Sequence, residues 1–285
     1  MLTTRSRLEH VDLDERGLRA FYGVAAATPI QRLEYVPYSR FVLAQQLDDA
    51  AGGGLGKRVR ALVHDRARGG FTLAGGEASS DDYVRLATAV AHLLGPANHD
   101  AMSGTYYARF AVRHEDASDS YLRQAHVALT LHTDGTYVDE PTDWLLMMKL
   151  AERSARGGET RVLHLDDWKE LDAFATHPLA SHHYRYHAPP SKNAPAAVRR
   201  PTFFEHEGRP CIAYIDQFAQ PETLEQGLYL DALTRSLEAS AGVATVSLEP
   251  GTMIVLNNAF WLHGRAAFEP DPELFRELLR ARGRF

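Results

Sequence analysis

The sequence predicts a mostly β fold, a β-sandwich or jelly roll dressed with helices, in one domain spanning residues 1–285. Three observations carry this expectation. After Gly104 the chain breaks into six short segments rich in β-branched and aromatic residues: "TYYARFAVRH", "AHVALTLH", "WLLMMKLAE", "TRVLHL", "ATVSLEPG" and "TMIVLNNAFWLHG". Before it, over roughly the first 100 residues, the apolar spacing is partly helical. No internal repeat divides the chain, and 285 residues with 45% apolar content suffice for one substantial core.

The elements follow in order. "MLTTRSRLEHVDLDERG" reads as a polar leader without the apolar stretch of a signal peptide. "DDAAGGGLGKR", Asp48 to Arg58, is a glycine-rich surface turn. It lacks the order of a phosphate-cradling loop, and no strand precedes it. "GEASSDDYVRLATAVAHLLGPAN" predicts a helix: Ser79 or Ser80 caps it, Asp81 and Asp82 suit the positive first turn, and Gly95-Pro96 ends it. Tyr83, Leu86, Ala87, Val90 and Leu94 form its apolar stripe. The proline-bearing "HAPPSKNAPAAVRRP", His187 to Pro201, is a long loop between strands, and loops of that length in compact domains are often functional.

Composition narrows the partners. A net charge of -6 and a pI near 6.2 argue against nucleic acid. No run reaches the ~20 apolar residues of a membrane span. The single Cys211 excludes an intrachain disulfide and suits a reducing cytoplasm. The expectation is a cytoplasmic protein acting on a small molecule.

Four His-x-Asp triplets stand out: "EHVDLD" at His10-Asp12, "RHEDAS" at His114-Asp116, "LHTDGTYV" at His132-Asp134 and "LHLDDW" at His164-Asp166. With 14 histidines, one triplet alone is a weak signal. His10 lies in the leader, and His114 opens what reads as a solvated acidic turn. Asp166 or Asp167 is better used as the N-cap of a following helix. His132-Thr133-Asp134 ends an alternating strand and is followed at once by Gly135. Two histidines and one carboxylate on a face leave three positions open and favour non-haem Fe(II). His263, ending another β segment, is the candidate third ligand, although a lone histidine there could equally be a satisfied polar residue. If the iron is to use 2-oxoglutarate and O2, a buried arginine should meet the cosubstrate's distal carboxylate. Arg276 lies 13 positions after His263, and Thr160 in "RGGET" can add a hydroxyl. An exposed helical charge and an ordinary hairpin are the plain alternatives. The ordered set His-x-Asp, Gly-Gly-x-Thr, His, Arg is much less accidental than its parts. For His164 that order fails.

The ordered set resembles Fe(II)/2-oxoglutarate dioxygenases of the taurine-dioxygenase and clavaminate-synthase kind. Longer strings, "HLLGPANHDAMSGTYYARF", "DSYLRQAH", "HTDGTYV", "LLMMKL", "LHLDDW", "APPSKN", "YIDQF" and "NNAFWLHGR", resemble the glutarate 2-hydroxylase (CsiD) family from about Arg68 to Phe285. The resemblance implies a double-stranded β-helix, the clavaminate-synthase-like jelly roll, and often a homotetramer. It implies oxidation of glutarate to L-2-hydroxyglutarate while 2-oxoglutarate and O2 become succinate and CO2. Carried over by position, His132, Asp134 and His263 hold iron, and Arg276 with Thr160 holds 2-oxoglutarate. A carboxylate at Asp134 fills the position that halogenating relatives leave to halide, so hydroxylation is expected. Arg280 is the first choice for the substrate carboxylate, with Arg282, Tyr107, Tyr137, Ser191, Lys192 and Asn193 as further pocket candidates.

"DPELFRELLRARG", Asp271 to Gly283, carries helix signals, yet the resemblance requires a final strand there. We expect strand from near Arg276, which would put Arg276, Arg280 and Arg282 on one face. Three function classes follow: the glutarate hydroxylase, the same chemistry on another small carboxylate or amino acid, and a catalytically silent metal-holding β-barrel.

Overall fold

The computed structural model describes residues 3–115, 124–194 and 196–285. The N-terminal part holds α1 (Thr4–Arg7), β1 (Glu9–Val11), α2 (Glu15–Ala25), α3 (Ile30–Tyr35), α4 (Pro37–Ala50), α5 (Leu55–His64), β2 (Gly70–Ala74) and α6 (Ser80–Leu94). There follow β3 (Tyr107–Arg113), β4 (Leu129–His132), β5 (Trp144–Arg153), β6 (Thr160–His164), α7 (Leu171–Ala175), β7 (Tyr184–Tyr186) and β8 (Val198–Arg200). The chain ends with β9 (Phe203–His206), β10 (Arg209–Ile212), β11 (Ala219–Gln220), α8 (Leu224–Glu238), β12 (Ala244–Val246), β13 (Thr252–Asn257), β14 (Trp261–Arg265) and β15 (Phe275–Gly283).

Local signals explain the helices. Ser79 caps α6 by accepting from the Asp82 amide, and Asp14 caps α2 in the same way. Gly52, Gly53 and Gly54 all take left-handed backbone between α4 and α5, so the glycine-rich turn is a turn because only glycine enters that region cheaply.

Among the described residues the strands form two main sheets. The larger has the order β1-β2-β13-β5-β15-β3, and the smaller β12-β6-β14-β4. Short sheets β11-β7-β8 and β10-β9 flank them. One face of the large sheet (Leu146, Met148, Met253, Val255, Leu279, Ala281) packs on α2, α4, α5 and α6 through Phe21, Leu43, Leu47, Val59, Leu86 and Val90. The opposite face (Leu145, Met147, Ile254, Leu256) belongs to a second core that includes Val162 on the facing side of the small sheet. The order is therefore helices, large sheet, small sheet. Period-2 alternation lets one strand serve both interfaces.

Four expectations change. The segment "TMIVLNNAFWLHG" is two strands in different sheets, β13 and β14, separated by a turn at Asn258. The leader is not merely polar: β1 is an edge strand parallel to β2, and Val11 is fully buried. Asp166 and Asp167 cap no α-helix, since α7 has Glu170 at its N-cap position. Asp166 instead pairs with Arg66 and Arg209, and Asp167 with Arg7. The loop from His187 contains a helical turn at Pro190–Lys192 and the strand β8. The stretch around Arg276 is strand, as expected. β15 pairs with β3 on one side and β5 on the other, and two ladders outweigh helix propensity.

Leu279 reports on the helix-facing interface. Leu279→Ala should cost about 2–5 kcal/mol in chemical denaturation, while metal uptake at the far side of the sheet persists.

Candidate active site

The site lies between the two sheets. β14 runs antiparallel to β4 and β6, so that His263 stands opposite His132, and Arg265, two residues on, stands opposite Thr160. His132 and Asp134 leave the end of β4 into a tight turn where Gly135 has a φ of 77°. One ligand atom each from His132, Asp134 and His263 lies within 4.8 Å of the others, and all three residues are buried. The two imidazole centroids are 4.2 Å apart, and Asp134 Oδ1 is 3.8 Å from His132 Nε2.

Supporting groups fix these side chains. Thr130 O lies 2.8 Å from His132 Nδ1, which suits an Nδ1–H donor and leaves the Nε2 lone pair for a ligand. Asn258, in the turn between β13 and β14, takes the Asp134 amide on its Oδ1 and donates from Nδ2 to Asp134 O and Thr142 O, each at 2.9 Å. Burial, with the adjacent His132, pushes His263 down to about 3, which keeps the imidazole neutral. Burial alone would raise Asp134, but the positive charge of Arg280 foremost, with that of Arg282 adding to it, holds it well below the usual carboxylate range. Among the described residues His263 Nδ1 and Asp134 Oδ2 are buried without hydrogen-bond partners. Two imidazole nitrogens and an ionised carboxylate converging on one point fit a divalent metal of the iron type.

His132, Asp134 and His263 line a cleft with Phe110, Val112, Met147, Thr160, Lys192, Arg265, Arg276, Leu278 and Arg280. Arg276 donates to Gly158 O. Gly158 has a φ of 69°, and a Cβ there would lie 2.0 Å from Phe268, so the glycine allows the turn to close against that ring. The Arg265 and Arg276 guanidiniums both pack on Phe268, at 5.2 and 5.6 Å. Burial, then the charge of Arg276, lowers Arg265 to about 10. Burial likewise lowers Arg276. The Nε of each has no hydrogen-bond partner among the described residues. Arg280 is different: Asp100 accepts from its Nη2 at 2.6 Å, and Asp134 Oδ2 is 3.1 Å from its Nη1. These carboxylates raise it despite burial.

Not every expected residue arrives. Tyr137 and Lys192 line the cleft. Tyr107 does not: it points to the helix layer, where its hydroxyl donates to Glu34 at 2.8 Å, because alternation along β3 sends Phe110 and Val112 inward instead. Ser191 lies off the lining, and exposed Asn193 donates to Ala101 O. Arg282 is buried on the expected side but lies behind the lining, over the Tyr137 ring. Of the other triplets, His10 pairs with Asp12 at the surface. His164 is buried, its ring bonded to Arg66 O and the Asp166 amide. His114 packs on His126, and Asp116 lies outside the described residues. Sequence reasoning missed Arg265, which strand alternation from His263 could have found, and Asp100, which carried no local signal.

A family model described as CsiD matches residues 2–285. The chain belongs to the CsiD family. Membership extends through the N-terminal part, beyond the start expected near Arg68. Glutarate 2-hydroxylases of Salmonella paratyphi B and Salmonella typhimurium are each 47% identical over 272 residues, covering 94% of this chain and 84% of theirs. Among solved structures, an asparagine oxygenase in complex with Fe(II), 2S,3S-3-hydroxyasparagine and succinate superposes with a TM-score of 0.75 at 16% identity, covering 96% of this chain and 93% of that one. The non-heme iron oxygenase OrfP in complex with Fe and alpha-ketoglutaric acid gives 0.72 at 17%, with the same coverage. At these identities the likeness shows that the CsiD-family chain shares their fold.

The metal assignment is directly testable. His132→Ala and His263→Ala should each abolish uptake of one Fe(II) or Co(II) per chain while circular dichroism stays unchanged. His164→Ala should keep the stoichiometry and lose about 1–3 kcal/mol of stability, because it leaves buried backbone partners unpaired.

Proposed function

We propose that the protein hydroxylates glutarate at C2 to L-2-hydroxyglutarate, with 2-oxoglutarate and O2 becoming succinate and CO2. The observation that carries the substrate class is the charge of the cleft. Its described lining has four cationic side chains, Lys192, Arg265, Arg276 and Arg280, against one carboxylate, Asp134. Two five-carbon dianions side by side suit that excess. An amino acid's ammonium would find only Asp134, which the metal requires.

In this reading His132, Asp134 and His263 hold Fe(II), which when bound supplies the coupled oxidation of 2-oxoglutarate and substrate by O2. Arg276 and Thr160 take the distal carboxylate of 2-oxoglutarate. Arg265 adds a second positive charge beside them, and Phe268 keeps both guanidiniums in place. Arg280 offers its Nε, unpartnered among the described residues, to a glutarate carboxylate, with Lys192 for the other end, Tyr137 on the lining and Arg282 behind it. Phe110, Val112, Leu129, Met147, Ile215, Phe218 and Leu278 keep water from the reacting carbon. The two facing sheets support the double-stranded β-helix as the finer description of the fold, within a single domain. A homo-oligomer, a tetramer by family resemblance, and a cytoplasmic location complete the proposal. The described helices include none long and apolar enough to cross a membrane.

Arg276→Ala should raise the 2-oxoglutarate KM by a factor on the order of 100 or more, since a buried carboxylate left without its cation costs about 3–5 kcal/mol. Thr160→Val should raise it about tenfold, the loss of one charge-assisted hydrogen bond. If Arg280→Ala damages 2-oxoglutarate binding and Arg276→Ala does not, the two arginines have exchanged roles.

The substrate is tested by succinate release, with Fe(II), ascorbate and a panel of C4 to C6 diacids and amino acids. Glutarate should give coupled succinate and 2-hydroxyglutarate, and lysine little of either. Arg280→Ala should lose glutarate turnover while uncoupled 2-oxoglutarate decay persists. Hydroxylation of a basic amino acid with glutarate inert would overturn the assignment in favour of another substrate.

A further inference from the structure

We propose that Asp100 is a positioning residue for the metal centre: it holds one arm of Arg280 and so keeps that guanidinium from closing on both oxygens of Asp134. The inference rests on reading His132, Asp134 and His263 as metal ligands.

Asp100 lies in the stretch joining α6 to β3. This stretch runs beside the end of β15: Ala97 bridges to Gly283, the Asn98 amide donates to Arg282 O at 2.8 Å, and the Arg284 amide donates to Pro96 O at 3.2 Å. It brings Asp100, 3% exposed, under Arg280. Asp100 Oδ1 accepts from the Ser103 amide at 3.2 Å and the Ser103 hydroxyl at 3.0 Å, and Oδ2 accepts from Arg280 Nη2 at 2.6 Å. Burial would raise its carboxyl, but the charges of Arg280 and Arg282 and these hydrogen bonds lower it on balance, so it is a carboxylate. The Phe110 ring lies 4.8 Å from the Arg280 guanidinium and packs on its face.

The two oxygens of Asp134 have separate surroundings. Oδ1 faces His132 at 3.8 Å, and Oδ2 faces Arg280 Nη1 at 3.1 Å. Although that ion pair is close, Oδ2 accepts no hydrogen bond of acceptable geometry. An arginine beside a buried carboxylate tends toward the bidentate fork, two parallel N–H···O bonds. Here Asp100 takes one side of the fork, and the Arg280–Asp134 contact stays lopsided. Without Asp100, Arg280 would be drawn onto both Asp134 oxygens and would compete with a cation for Oδ1. Asp100 thus acts on the metal through Arg280, by geometry, and not only as a distant negative charge.

The test is a double-mutant cycle on Co(II) affinity, titrated calorimetrically into metal-free full-length protein. Asp100→Asn should weaken Co(II) binding about tenfold in the otherwise unchanged chain. In an Arg280→Met background the same substitution should cost at most about threefold, the residue of its charge alone. An equal loss in both backgrounds, or no loss in either, overturns the proposal. If Asp100→Asn does not fold, Ser103→Ala loosens Asp100 without altering its charge. Its loss, about threefold, should vanish in Arg280→Met, and a loss that persists there, or none at all, is again an overturning result. Failure of the unsubstituted protein to bind Co(II), or binding that survives His132→Ala, would sink the metal-site reading and this proposal with it. Binding that needs His132 and ignores Asp100 sinks the proposal alone.

Discussion

The register of β14 against its two neighbours is the constraint on which the rest of the site depends. That one ladder sets His263 across from His132 and Arg265 across from Thr160, on the side of the small sheet that faces the large one. Side chains alternate along a strand, so a slip of one residue would turn all of them to the opposite face. The pairing residues also supply core: Trp261 and Leu262 are fully buried. Register is therefore enforced by hydrophobic burial, and the polar site inherits its geometry from apolar packing. β15 applies the same logic in the large sheet, with Leu279 and Ala281 in the helix-facing core and Arg276 and Arg280 in the cleft.

The second organising quantity is charge. Several guanidiniums sit out of water, where each carries a substantial desolvation cost. Arg280 is compensated internally by Asp100 and Asp134. Among the described residues Arg265 and Arg276 make no ion pair: Gln124 O and Val127 O accept from one and Gly158 O from the other, and Glu152 and Glu159 act on Arg276 only at a distance. The described cleft thus has one end already neutralised and one end that an anion would complete. That asymmetry separates the groups that shape the metal centre from those suited to gripping a soluble acid.

Much of this was legible in the sequence, for identifiable reasons. His132, Asp134 and His263 could be found because strand ends and the following glycine leave readable signals. β15 could be read as strand against its helix-forming composition only through the family resemblance, because two flanking ladders decide it and neither is local. Tyr107 was misplaced because the phase of alternation in β3 depends on which sheet face meets the helices, a tertiary fact. Ser191, Lys192 and Asn193 are equal candidates in the sequence, but a helical turn rotates three successive residues to different sides, and of the three Lys192 reaches the cleft. Asp100 was invisible because its importance lies wholly in a contact 180 residues distant along the chain.

The reciprocal bonds between Asn258 and the Asp134 backbone bear on how metal enters. The peptide edges of that turn are satisfied by a side chain 124 residues further along the chain, so its conformation does not wait for a cation. Loading then requires desolvating the ion and settling a few rotamers, with no loop to order. The entropy of arranging the ligands is lost once, during folding, and a centre emptied by chelation or oxidation should refill at a rate set by access to the cleft and not by refolding.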